Sequence, residues 1–182
     1  SRLIVITSVL LLVAACSTNQ TMTSSSSMPV MGSGYSDADI AGILRAANQG
    51  EIDAGNAAST RASSDDVRAF ARMMVSDHTS ALDQANSLFT RTNIRASDND
   101  LSRNLQNNSQ QTLGALNSYT GADFDRQYIN SQVAAHQWLL GTLDSALIPS
   151  AHNRQLRTFL SNVRTTVTSH LDRARQIQTK LR

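Results

Sequence analysis

The chain is expected to be all-α, a four-helix bundle with one extra crossover helix, and three observations lead there. Apolar residues recur at alternating spacings of three and four along four long segments, which is the seam of packed helices. Only two prolines occur among 182 residues, and no alternation of β-branched residues persists. A start signal of one form, Ser/Thr-x-x-Asp/Asn, precedes each helical pattern. It occurs at Ser36/Asp39, Ser63/Asp66, Ser97/Asp100, Thr120/Asp123 and Ser150/Asn153. Each places a capping hydroxyl ahead of a short polar side chain, a variant of the capping box.

These signals divide the chain into helices over 37–60, 64–91, 98–117, 121–147 and 151–181. The first carries the stripe Ile40, Leu44, Ala47, Glu51, Ala54, Ala58. The second carries Val67, Ala71, Met74, His78, Ala81, Ala85, Leu88. The segment 98–117 has a thin stripe of Leu101, Leu105, Leu113 and Leu116 and is rich in Asn and Gln. The helix over 121–147 carries Ile129, Val133, His136, Leu140, Leu143, Leu147. The last carries Leu160, Val163, Val167, His170, Ala174, Ile177, Leu181. Links near 61–63 and 148–150 are short and force antiparallel neighbours. The thin middle helix of 20 residues covers ~30 Å, the length of the bundle. It therefore crosses from end to end, giving up-down, crossover, down-up, the ferritin-like order. A plain up-down bundle with the extra helix folded on one end is the alternative.

The N-terminal part reads differently. Leu3–Val13 is an apolar run, shorter than the roughly 20 residues that span a bilayer, and it has the length of a signal-peptide core. It ends in Val13-Ala14-Ala15-Cys16, which resembles the lipobox of bacterial lipoproteins. That resemblance implies removal of 1–15, lipidation of Cys16, and anchoring in the outer membrane facing the periplasm, since no Asp follows the Cys. Cys16 is the single cysteine, so no internal disulfide can form. Residues 16–35 form a Ser/Thr-rich flexible tether with a reach of roughly 23 Å. The folded domain is then 36–182, enough for one core. Without residues 1–15 there are 15 basic and 14 acidic residues, 16 minus Arg2 against 14, a net of +1. That balance excludes a nucleic-acid partner.

Each long stripe contains one ionisable residue near mid-length, Glu51, His78, His136 and His170. The midpoints fall near 48, 77, 134 and 166, so the four lie within about 6 Å of one height. A buried ionisable group is costly unless paired, hydrogen-bonded or bound to metal. A converging His3Glu set suits one divalent ion such as Zn, Mn, Fe or Cu. Asn48 and Asp77 flank the layer as partners for ligating imidazoles. The same layer also reads as a purely structural polar network that fixes helix register. A di-iron carboxylate centre is excluded, because the Glu-x-x-His pairs it needs are Val75, Val133 and Val167 at the Glu positions. His152 stands outside the seam. Arg157, Arg164, Arg175 and Arg182 make a basic flank on the last helix, either solvated or facing anionic lipid. Met22, Met28 and Met31 in the tether are soft donors able to take Cu(I), or simply tether residues.

Several segments together resemble a known family. They are Asn48-Gln49-Gly50-Glu51-Ile52, Ser63 to Ala71, Met74-Val75-Ser76-Asp77-His78, Phe124 to Tyr128, the helix bearing His136, and Ser169-His170-Leu171. This pattern resembles domain of unknown function 4142, the bacterial "predicted outer membrane protein" family with a ferritin-like bundle. The resemblance implies a fold and an envelope location; it supplies no catalytic residues. No nucleophile or substrate pocket is legible. The chain therefore reads as a lipid-anchored structural or binding module. The rival reading is a metal-dependent redox or hydrolytic envelope enzyme.

Overall fold

The computed structural model describes residues 34–181. The expected leader, Cys16 and the methionines of the tether lie outside the described residues. The helices are α1 (Asp37–Arg61), α2 (Asp65–Thr92), α3 (Asp100–Leu116), α4 (Gly121–Thr142), α5 (Ile148–Ser150) and α6 (Arg154–Lys180). A π-helical turn, Leu143–Leu147, joins α4 to α5. There is no strand among the described residues. The long helices match the expected segments to within about three residues at each end, except that α4 stops at Thr142 and the π turn fills the expected helix to Leu147. No described helix is long and apolar enough to cross a membrane.

Hydrogen bonds at the two ends define the topology. The Ser97 amide donates to the Ala38 carbonyl (3.0 Å) and Asn99 Nδ2 to the Asp39 carbonyl (3.0 Å), which pins the start of α3 to the start of α1. Arg61 at the end of α1 donates to the Leu116 and Tyr119 carbonyls (3.0 and 3.1 Å), which pins the end of α3 there. α3 thus runs parallel to α1 along the whole bundle. α4 begins where α2 begins: Asp125 accepts from the Ser63 and Ser64 amides (3.0 and 2.8 Å). α6 begins beside α1, whose Asp37 accepts from the His152 and Asn153 amides (2.8 and 2.9 Å). The order is up-down, crossover, down-up.

The caps differ from the sequence pattern in an instructive way. Ser36/Asp39 forms the full capping box. For α2 the N-cap is Ser64, without a side-chain cap bond of its own. The buried Asp125 carboxylate, from α4, satisfies those amides instead and brings negative charge to the helix N-terminus. Asn99 and Asn153, rather than Ser97 and Ser150, cap α3 and α6. Pro149 does not end its helix; it sits in the first turn of α5, where the missing amide costs little. The chain turns at 151–153.

Close packing of α1 depends on glycine. A Cβ at Gly42 would lie 2.0 Å from the Ser97 carbonyl oxygen, and one at Gly55 would lie 2.8 Å from Val75 Cγ2. The absent side chains allow the α2–α3 connection and α2 to approach the α1 backbone.

The core is divided. One apolar cluster, around Ile40, Ile43, Leu88, Leu147, Leu156 and Leu160, fills one end. The other, around Phe70, Met74, Phe124, Tyr128, Ile129 and Ile177, fills the opposite end. Each fully buried large apolar side chain contributes about 1.5–3 kcal/mol. Between the clusters lies a layer of buried polar groups: Asn48, His78, Gln132, His136 and His170.

Candidate metal centre

Four helices supply the layer, α1 with Asn48 and Glu51, α2 with Asp77 and His78, α4 with Gln132 and His136, and α6 with His170. Each imidazole sits on its apolar stripe and is carried inward by the same packing that buries its leucine and alanine neighbours. His78, His136 and His170 are 7, 1 and 3 % exposed. Their ring centroids are 5.3–6.0 Å apart. One nitrogen from each can be chosen so that all three lie within 4.8 Å of one another.

The hydrogen bonds engage one nitrogen of each ring and leave the other free. His78 Nδ1 lies 3.0 Å from Asn48 Oδ1. His136 Nδ1 lies 2.9 Å from the Gln132 carbonyl oxygen. His170 Nε2 lies 2.9 Å from Asp77 Oδ2. Every partner is an acceptor, so each of these nitrogens carries the proton. The other nitrogens, His78 Nε2, His136 Nε2 and His170 Nδ1, are then unprotonated lone pairs. All three are buried without a hydrogen-bond partner. Neutral imidazoles fixed in this way, by an amide oxygen, a backbone carbonyl and a carboxylate, have the form that binds metal.

Electrostatics favour the neutral form. Burial, together with the neighbouring His136 and His170, pushes the His78 imidazolium down to about 3. Burial also lowers His170, although its hydrogen bond to the Asp77 carboxylate opposes the shift. Tyr128, buried below the layer, is raised well above its usual value by burial and by the charge of Glu51.

The fourth expected residue, Glu51, is half-buried and is not one of the three groups that converge within 4.8 Å. It is near enough for its charge to act on His170 and Tyr128, and its Oε2 is buried without a partner. Asn48 and Asp77 do contact the imidazoles. The sequence reading had not singled out the Gln132 carbonyl. A helical residue four places before a histidine is its geometric neighbour, so the spacing alone carried that signal.

Two cavities reach the layer. A groove of about 310 Å³ between α2 and α6 is lined by Asp77, His78, Gln84, Asn162, Thr166 and His170. The Asp77 side chain, 43 % exposed, links it to solvent. On the opposite side a cavity of about 150 Å³ between α1, α3 and α4 is lined by His78, Glu51 and Gln132 at its polar end. The basic flank of α6 is partly engaged elsewhere. Arg157 donates to the Ala151 carbonyl and Arg164 pairs with Asp144.

The family model described as "Domain of unknown function (DUF4142)" matches residues 20–177, most of the chain. No curated protein and no solved structure was found to match.

Proposed function

The chain belongs to the DUF4142 family, and from the geometry of its polar layer we propose that it is an envelope-anchored bundle that binds one divalent metal ion through His78 Nε2, His136 Nε2 and His170 Nδ1. The observation that carries this reading is the meeting of three buried imidazoles, each with one nitrogen engaged and the other unpartnered. A network built only to fix helix register would need a partner, from protein or water, for each of these nitrogens.

The distances fit. Two nitrogens bound tetrahedrally at ~2.05 Å lie roughly 3.3 Å apart, so the 4.8 Å limit asks for a contraction of about 1.5 Å at most. Small rotamer adjustments supply that. An imidazole-dominated donor set suits Zn²⁺ or Cu²⁺ better than Mn²⁺. Glu51 is the group at hand to complete the set, directly or through water. The α2–α6 groove is the access route, and Asp77 at its wall is both an attractant for a cation and the orienting partner of His170.

One observation favours a second reading, a metal-dependent redox or hydrolytic enzyme. The cavity bearing Glu51 reaches His78, which gives an ion an approachable side. Under that reading Glu51→Gln removes turnover and leaves metal affinity in place. The envelope location rests on the lipobox resemblance at Cys16, and Cys16→Ser is expected to release the protein from membranes.

The experiment is metal titration of tag-free protein previously treated with EDTA. Zn²⁺ should bind at one equivalent by calorimetry. At a free concentration one hundred times Kd it adds about 2.7 kcal/mol, raising Tm by about 5–10 °C. His136→Gln should remove the response. Substoichiometric binding with unchanged melting for Zn²⁺, Cu²⁺, Fe²⁺ and Mn²⁺ would overturn the proposal.

A further inference from the structure

The cavity between α1, α3 and α4 has a composition that the metal site does not explain. Its volume is about 150 Å³, and its walls are largely apolar: Ile43, Leu44, Leu105, Leu139, Leu143 and Leu147. An apolar cavity of that size holds a benzene-sized molecule in other proteins. Polar side chains line it on two sides, Glu51, His78 and Gln132 at the imidazole layer and Asn108, Ser109 and Thr112 on α3. Glu51 Oε2 and Gln132 Oε1 are both buried acceptors to which no protein group donates, and Gln132 is only 3 % exposed.

Two further features converge here. The π-helical turn Leu143–Leu147 puts two fully buried leucines on the cavity wall. Such turns are rare and occur frequently at functional sites. Trp138, one of two large apolar side chains exposed among the described residues, lines the same cavity and is 45 % exposed. An aromatic ring at once on the surface and on the wall marks the mouth.

We propose that this cavity binds a small apolar molecule, one six-membered ring or its equivalent, carrying a single hydrogen-bond donor, as a phenol does. The ring lies among the leucines of α1, α3 and the π turn, and the donor faces Glu51 and Gln132. A ligand without a donor would leave the buried acceptors unpaired, the arrangement that gives the sharpest discrimination between analogues. The site needs no bound metal, so it stands or falls separately from the metal reading.

The test uses EDTA-treated full-length protein with phenol and toluene as the probes. Binding is read by thermal shift and by the emission of Trp138, the single tryptophan of the chain. Phenol should bind saturably, and toluene at least about tenfold more weakly, the effect of one hydrogen bond to a charged acceptor. Glu51→Gln should reduce the preference for phenol. Ala135→Phe, which fills the cavity from α4, should abolish binding of both. Leu105→Phe fills it from α3 and serves if the first variant does not fold. Saturable binding of neither probe, equal binding of both, or binding that survives a filling variant would overturn the proposal. Failure here with stoichiometric Zn²⁺ binding intact would sink the cavity assignment alone.

Discussion

Mild acid, between pH 7 and 5, should destabilise the metal-free protein through its buried imidazoles. In the folded protein His78 stays neutral down to about pH 3, whereas in the unfolded chain it takes a proton near its ordinary 6.5. Above pH 6.5 the residue is neutral in both states and contributes nothing. Below it the unfolded state binds a proton that the folded state refuses, so stability falls as pH falls, until the folded state also protonates near pH 3. At 1.36 kcal/mol per pH unit, the loss from His78 alone between pH 7 and 5 is about 2 kcal/mol. His170, lowered as well, adds in the same direction. With a urea m-value of about 2 kcal/mol/M, the midpoint should drop by about 1 M. The acids with depressed values, Asp39, Asp66 and Asp144, hold their stabilising effect above about pH 4 and lose it only below, outside this window. Urea unfolding of EDTA-treated protein, followed by circular dichroism at pH 7, 6 and 5, reads the slope. His78→Gln should flatten it, and saturating Zn²⁺ should raise the midpoints without flattening the slope, because the folded imidazoles that bind the ion already refuse the proton. A midpoint that is constant or rises from pH 7 to 5 would refute the buried, neutral imidazole layer.

Asp77→Asn should weaken metal affinity by about 10- to 100-fold by calorimetry, with unchanged helix content, because the imidazole of His170 loses its carboxylate partner. Asp125→Ala should cost about 2 kcal/mol or more in urea unfolding, since the amides of Ser63 and Ser64 lose their buried acceptor. Gly42→Ala, which intrinsic helix preference alone would make stabilising by about 1 kcal/mol, should instead destabilise by about 1–3 kcal/mol because the Cβ meets the Ser97 carbonyl. A rise in Tm for that variant would show that the α2–α3 connection yields more easily than its three hydrogen bonds to α1 suggest.

The stripes made the bundle legible, since a spacing of three and four is set by helix geometry and survives whatever the partners are. The same arithmetic put His78, His136 and His170 at one height, and the division of the core into two apolar clusters around them agrees. Caps were less legible. A Ser before an acidic residue signals a helix start, yet Asp125, 62 residues from Ser63, does the capping of α2. A contact across that separation is a product of tertiary packing and leaves no local spacing to read. The absence of Glu51 from the converging set was harder still to read. Position on a stripe fixes azimuth and height, but the rotamer decides whether a carboxylate reaches the layer or turns into a neighbouring cavity. Nothing in the stripe of 121–147 announced a π turn either, because Leu143 and Leu147 keep the helical spacing while the backbone widens by one residue.

That widening bears on how the site works. A regular bundle with leucines at every seam position would close around the imidazoles and hold any metal in a dry box. Here α3, with its thin stripe, covers one side, and the π turn leaves space beneath it, so His78 is reached through an apolar cavity. On the other side α2 and α6 part around Asp77 and leave a polar groove. The two openings differ in chemistry: a hydrated cation gains by approaching along the carboxylate, and an apolar molecule gains by entering beside Trp138. A layer sealed for stability alone would need neither, and each opening forfeits packing that a few larger side chains would restore. Filling variants such as Ala135→Phe should therefore stabilise the metal-free protein, by about 1 kcal/mol or more, while closing the route they fill. Stabilisation by filling, together with loss of ligand access, is the signature of a cavity maintained for binding.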